Sequence, residues 1–323
     1  MTIKDIAAKC GVSIGSVDRA LHNRKGISPR TRDRILETAR TLGYVPNLTA
    51  RGLVTGKTMI IGVIVFDLAH VYFAELVTAA ISRLSEHGYF AQVTVSDKDP
   101  VRERLCIEQM SSLGVDGLLL TPIGGPASLD PILDKLNRPL VTVANYIGDK
   151  WSYIGVDYAT ATGDAVRFLS GRGYRRIVYL SPPLRNARFV NTFAIDRRLI
   201  GFRAAIDELP NVEGVVMDDA DYLSRIRALD LEHARTVVLC SSDVYALKVL
   251  TMFTGRGVRV PNDVGIMGFD NISTLAHVHP ALTTVDTSIE SIGSGAADAV
   301  VESIRGRSVS RLVPHRIVRG ETA

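Results

Sequence analysis

Cationic side chains concentrate at one end of this 323-residue chain. Residues 1–58 carry eleven Lys and Arg against four Asp and Glu, a local charge of +7, while the whole chain is only +4 and the remainder therefore near −3. A basic segment on a mildly acidic body calls for a polyanion, which Lys and Arg bind while releasing its counterions. Covalent chemistry finds no comparable support. His277 and His279 stand in a loop without companions. Gly293-Ser294-Gly295 does not complete the phosphate-cradling G-x-G-x-x-G pattern, and Gly171-Arg172-Gly173 precedes a strand instead of following one. Cys10, Cys106 and Cys240 are scattered, without metal-ligand spacing, and read as small buried hydrophobes in a reducing compartment. The expectation is a binding protein with no cofactor, no metal and no enzymatic activity.

The elements that must present the charge are short helices. Ile3, Ile6, Ala7 and Cys10 recur at helical spacing, with Thr2 at the N-cap position and Asp5 completing an approximate capping box. Gly11 breaks that helix. Ser13 is placed to cap a second one running to about Leu21, with Val12, Val17, Ala20 and Leu21 inward. Ser28-Pro29 opens a third, closed by Ile35, Leu36, Ala39 and Leu42 and ended by Gly43. Two helices joined by a tight Gly-containing turn form a helix-turn-helix, whose second helix enters the major groove N-terminal end first.

The runs TIKDIAAKCGVS (2–13), RALHNR (19–24), LGY.PN (42–47) and ARGL (50–53) resemble the DNA-binding head of the LacI/GalR family of bacterial transcription regulators. The resemblance implies that Ser13, Ile14, Gly15, Ser16 and Arg19 face base edges. Arg19 can fork onto guanine, Ile14 can meet a thymine methyl, and Gly15 is silent. Asp18 stands where the family usually has Ser. It either accepts from cytosine or orients Arg19 or His22, and the scarcity of acid–cytosine contacts favours the second. His22, Asn23, Arg24, Arg30 and Arg32 are expected on phosphates. Residues 48–54 resemble the family's hinge helix, with Leu53 as a minor-groove wedge and Arg51 beside it.

From Met59 on, apolar strands alternate with amphipathic helices, which means parallel sheets covered on both faces, and a break near 154–158 divides them into two doubly wound lobes. The stretches 115–119, 198–202, 260–271 and 280–285 resemble the periplasmic-binding-protein-like effector domain of the same family. The organisation expected is a helix-turn-helix domain over 1–46, a hinge over 47–58 and an effector domain over 59–323, with chain crossings near 156 and 286.

By position in that family, Tyr72, Phe73, Asp157, Arg198, Ser242 and Asp270 line the cleft between the lobes. Carboxylates, Arg and an aromatic face suit a sugar, a polyol or a phosphorylated derivative. Asp157 and Asp270 could instead cap the segments that follow them, and Asp243 reads as a structural cap. The remaining expectations are pseudo-palindromic operator DNA as partner and a homodimer without a heptad tail. With no signal peptide and no membrane span, the chain is expected in the cytoplasm.

Overall fold

The computed structural model describes residues 2–44, 56–181, 191–232 and 234–323. It divides into two compact units, Met1–Thr58 and Met59–Ala323. Arg51, Leu53 and most of the expected hinge lie outside the described residues.

The first unit holds α1 (Ile3–Cys10), α2 (Ile14–Leu21) and α3 (Pro29–Thr41). Thr2 and Asp5 form the reciprocal capping box, and Ser13 and Ser28 cap α2 and α3 through the amides of Ser16 and Thr31. Ile6, Val17 and Ile35 are fully buried at the centre of the three helices. Each such side chain contributes roughly 1.5–3 kcal/mol on burial. Arg34 adds a polar tie, donating to the Cys10 carbonyl at 3.1 Å.

In the second unit, one lobe opens with β1 (Ile60–Val65), α4 (Val71–Glu86), β2 (Phe90–Val95), α5 (Pro100–Ser112), β3 (Gly117–Leu120), α6 (Pro126–Leu136), β4 (Leu140–Val143) and β5 (Ser152–Val156). The other holds α7 (Tyr158–Gly171), β6 (Arg176–Leu180), α8 (Phe193–Asp207), β7 (Glu213–Met217), α9 (Tyr222–Arg227), β8 (Thr236–Cys240), α10 (Asp243–Thr254), β9 (Gly265–Asp270) and β10 (Thr283–Asp286). The chain ends with α11 (Ile289–Ile304), packed on α4 of the first lobe, then β11 (Arg311–Val313) and β12 (Arg316–Val318). The sheet orders are β11-β5-β4-β3-β1-β2 and β12-β10-β9-β8-β6-β7. All described pairings are parallel except β12 with β10. Among the described residues no helix is long and apolar enough to cross a membrane, and no cluster of acid, His and Cys side chains could hold a metal.

Two features depart from the sequence reading. The strand-like run 312–318 is two strands in different sheets, because Pro314, which has no amide to donate, falls between them. The chain therefore passes between lobes a third time, beyond the expected crossings near 156 and 286. The sequence pattern predicts a helix over 197–208, whereas helix α8 begins at Phe193. Its first amides are satisfied by Asn191 Oδ1 (3.1 Å to Phe193 N) and, from the other lobe, Asn145 Oδ1 (3.3 Å to Ala194 N). The second of these is a tertiary cap that local pattern does not announce.

Candidate nucleic-acid interface and ligand cleft

Helix α2 buries Val17 and Ala20, so the opposite stripe of Ile14, Gly15, Asp18 and Arg19 turns outward. Ile14 is 50% exposed, an apolar side chain held in water beside a basic surface. Ser13 and Ser16 are tied to each other, Oγ to Oγ at 3.0 Å, while Ser13 Oγ also accepts the Ser16 amide. Only one hydroxyl proton of that pair is left to donate outward. His22 Nδ1 bonds the Asp18 carbonyl oxygen at 2.9 Å and lies 3.0 Å from one carboxylate oxygen, while Arg24 Nη1 donates to the other at 3.0 Å. Arg24 in turn accepts from Arg32 Nη2 through its carbonyl at 2.6 Å. Asp18 therefore fastens the turn after α2. It holds His22 as expected and Arg24 in place of Arg19, whose side chain lies over Gly26 instead. Asn23 completes the turn with a left-handed backbone, φ 51°.

In the second unit the strand ends of both lobes enclose a cavity of about 710 Å³. Open parallel sheets bind ligands at this edge. Tyr72, Phe73, Arg198, Ser242 and Asp270 all line it. Asp157 does not. Its carboxylate accepts the Thr160 amide (3.2 Å) and hydroxyl (2.6 Å), capping α7, and the capping alternative holds there. Trp151 is also elsewhere, donating to Asp130 and packed in the core of the first lobe.

Arg198 is positioned by a close approach of helices. An added Cβ at Gly201 would stand 2.0 Å from the Ala159 carbonyl oxygen, so glycine lets α8 lie directly on α7. This seats the Arg198 guanidinium 4.3 Å from the Tyr158 ring centre and 4.6 Å from that of Phe269, a cation held against two aromatic rings. Asp270 Oδ1 lies 3.7 Å from Arg198 Nη2, close enough for attraction and too far for a hydrogen bond. Burial pushes the Asp270 carboxyl well up, and Arg198 offsets part of that rise.

The backbone at Asp270 is forced. Its φ of 111° and the 61° of Asn271 are conformations that L side chains rarely adopt, costing on the order of 1–3 kcal/mol each. The turn is held from behind by Asp243, fully buried at the start of α10, which accepts the Ile272 amide at 3.0 Å and the Thr284 hydroxyl at 2.5 Å. An added Cβ at Gly268 would stand 2.1 Å from Asp243 Oδ1, so the glycine makes room for that carboxyl. Burial pushes the Asp243 carboxyl up to about 7. The residue is structural as expected, though Ser242 and not Asp243 occupies the cap position.

Seven buried polar atoms on the cavity wall have no hydrogen-bond partner within 3.5 Å among the described residues: His70 Nδ1, Tyr72 OH, Tyr179 OH, Ser181 Oγ, Arg198 Nε, Ser241 Oγ and Ser242 Oγ. Buried polar groups are normally satisfied, so a wall of open donors and acceptors is a surface made for a hydrogen-bonding ligand. Tyr179 and Ser181 escaped the sequence reading because their strand reads as plain apolar core. His70 fell within a loop flagged only as a strand end. Asn191, at the edge of a polar stretch whose other members lie outside the described residues, also lines the wall.

The lobes are tied across both rims of the cavity. On one rim Ser273 donates to Glu75 Oε1 through its amide (2.8 Å) and hydroxyl (2.6 Å). On the other the Asn191 amide donates to the Ile123 carbonyl at 2.7 Å, and its side chain to that of Tyr146 at 3.3 Å. The Ile123 loop is itself gripped by the buried Glu103 carboxylate, which accepts the Ile123 and Gly124 amides at 2.7 and 2.8 Å.

Two family models match the chain: that of bacterial regulatory proteins of the lacI family over residues 2–47, and that of the periplasmic binding protein-like domain over 166–323. Catabolite control protein A of Priestia megaterium is 30% identical over 334 residues, covering 98% of this chain and 97% of the relative. The HTH-type transcriptional repressor CytR of Escherichia coli (strain K12) is 30% identical over 340 residues, covering 99% and 96%. In fold, a crystal structure of the Lac repressor dimer bound to operator and the anti-inducer ONPF superposes with a TM-score of 0.87 at 22% identity, covering 100% of this chain and 98% of that one. With a basic helix-turn-helix head, a two-lobed body and relatives matched over nearly their whole length, the chain belongs to the LacI family of bacterial regulatory proteins.

Proposed function

We propose that the chain is a ligand-responsive repressor that reads a pseudo-palindromic operator through α2 and senses a small molecule between its lobes. The observation that carries this reading is the wall of partnerless polar atoms in a cleft tied across both rims, on a chain that also exposes the outer stripe of α2. Binding there favours one closure state and so the spacing of the two heads, and the coupling cannot exceed the ligand's differential affinity for the two states. A relative bearing a repressor name supports repression, and a solved regulator structure described as a complex with cellobiose supports a carbohydrate ligand. The chain acts in the cytoplasm, without catalysis. Selection of bound duplexes from a random pool should enrich a two-fold-symmetric site with half-sites about 10 base pairs apart. No enrichment, or enrichment of asymmetric sequences, would reject the reading.

Within the head, Ser13, Ile14, Ser16 and Arg19 are the proposed base readers, with Gly15 leaving room between them. His22, Asn23 and Arg51 are proposed on the backbone and Leu53 in the minor groove. Arg19→Ala is expected to relax preference at one base pair by about 1–3 kcal/mol. Arg24→Ala should weaken every duplex alike. Competition between operator variants tests the contrast, and a uniform loss for Arg19→Ala would contradict it.

Pairing of two subunits is proposed through the open edge of the first sheet. Strand β2 ends that sheet, and there Phe90 is 61% exposed, as are Val101 (66%) and Leu105 (50%) one turn apart on α5. Leu105→Glu should raise the dimer dissociation constant at least about tenfold, since a buried unpaired charge costs several kcal/mol. Sedimentation equilibrium measures it. An unchanged constant would put the interface elsewhere.

A further inference from the structure

We infer that the second-lobe floor of the cleft is an anion subsite, so that the ligand carries a phosphoryl or carboxylate group at the end that docks there; this rests on the cleft being the effector site. Strands β6 and β8 are neighbours in the register Leu180↔Cys240, and Ser181 and Ser241 leave them side by side. Ser242 follows at the cap position of α10, yet its hydroxyl caps nothing. The three serines are 1%, 5% and 7% exposed, and among the described residues none of their hydroxyls has a hydrogen-bond partner within 3.5 Å. They surround the start of a 12-residue helix, where first-turn amides lack intrahelical acceptors and the helix dipole favours negative charge. Lys248, farther along the same helix, reaches the mouth of the cavity.

The sign of the charge follows from what this floor lacks. The serine hydroxyls can donate or accept, while the helix-start amides and the Lys248 ammonium only donate, which suits the several acceptor oxygens of an anion. The carboxylates on the cavity wall, which only accept when ionised, are at other places. Asp67, after β1, is paired with Lys98 at 2.5 Å, Asp97 lies next to Lys98 after β2 and is paired with Arg102, and Asp270 faces Arg198 one strand away. Asp243, at the start of α10, turns its carboxyl onto Thr284 and the Ile272 amide and is not part of the wall. The ligand would thus be polarised, its hydroxylated end at Arg198 and Asp270 and its anionic end on the serines.

The test compares melting temperatures of the full chain in chloride, inorganic phosphate and acetate at matched ionic strength. For a millimolar site at about 20 mM anion, the expected rise over chloride is about 4 °C. A rise with phosphate alone identifies a phosphoryl subsite, and one with acetate identifies a carboxylate subsite. The double variant Ser241→Ala, Ser242→Ala removes hydroxyls that bond to nothing among the described residues, so it should melt at or above the wild type in chloride and lose the anion-specific rise. No rise in either anion overturns the proposal, as does a rise that the double variant keeps, which would come from the basic head. Duplex selection with the wild-type chain is run alongside. If it succeeds while the anion effect fails, the subsite is wrong and the regulator reading stands.

Discussion

Arg198→Ala is expected to leave the fold and operator binding in place while raising the ligand concentration needed for a response by about 10- to 100-fold. The ligand is the one identified by a thermal-shift screen of sugars, polyols and their phosphates. Truncation removes donors aimed into the cleft, including an Nε without a partner among the described residues. The fold survives because Asp270, whose carboxyl burial already pushes well up, can take a proton once its cationic neighbour is gone. Arg198→Lys should not restore the response, since an ammonium has neither the planar face that lies against Tyr158 and Phe269 nor the fork of donors. An unchanged response curve for Arg198→Ala would show that the ligand binds elsewhere.

Asp243 should make the body less stable as pH rises. Its carboxyl is fully buried and raised from 3.8 to about 7, so the folded state holds the proton more tightly than the unfolded one. The resulting stability is complete below about pH 4 and is lost as pH climbs through about 7, a total on the order of 4 kcal/mol. Asp243→Asn keeps an acceptor for the Ile272 amide and a partner for Thr284 without the ionisation. Its urea midpoint should therefore hold steady between pH 5 and 8 where that of the wild type falls. Asp243→Ala should do worse at every pH, because it strips both partners and frees the strained Asp270–Asn271 turn. Parallel pH profiles for wild type and Asp243→Asn would contradict this account.

How legible all this was in the sequence varied with the range of the interactions involved. The three caps of the head rest on residues at most three positions apart, and Thr2, Ser13 and Ser28 announced them. Helix and strand periodicity gave most of the body, since β-strands buried on both faces read as apolar runs. What was missed depended on distant partners. The early start of α8 needs Asn145 of the other lobe. At the cleft, glycines 201 and 268 could be seen in sequence as part of family-like stretches. Their reason, a helix backbone 2.0 Å away in one case and a buried carboxyl in the other, is visible only in three dimensions. Asp157 was misplaced because a carboxylate at a strand end can serve a ligand or cap the next helix, and Thr160 three residues on decided for the cap.

The central claim is that the basic head grips duplex DNA under control of the cleft. Its most direct test is the affinity of the full chain for its selected operator between about 50 and 200 mM salt, with and without the ligand. Affinity should fall by about 10³-fold or more over that range, as expected when six or more phosphates are contacted. At fixed salt the ligand should shift it by about 5- to 150-fold. A chain that binds operator and scrambled duplex equally, or whose operator affinity ignores every ligand that stabilises the body, would contradict it.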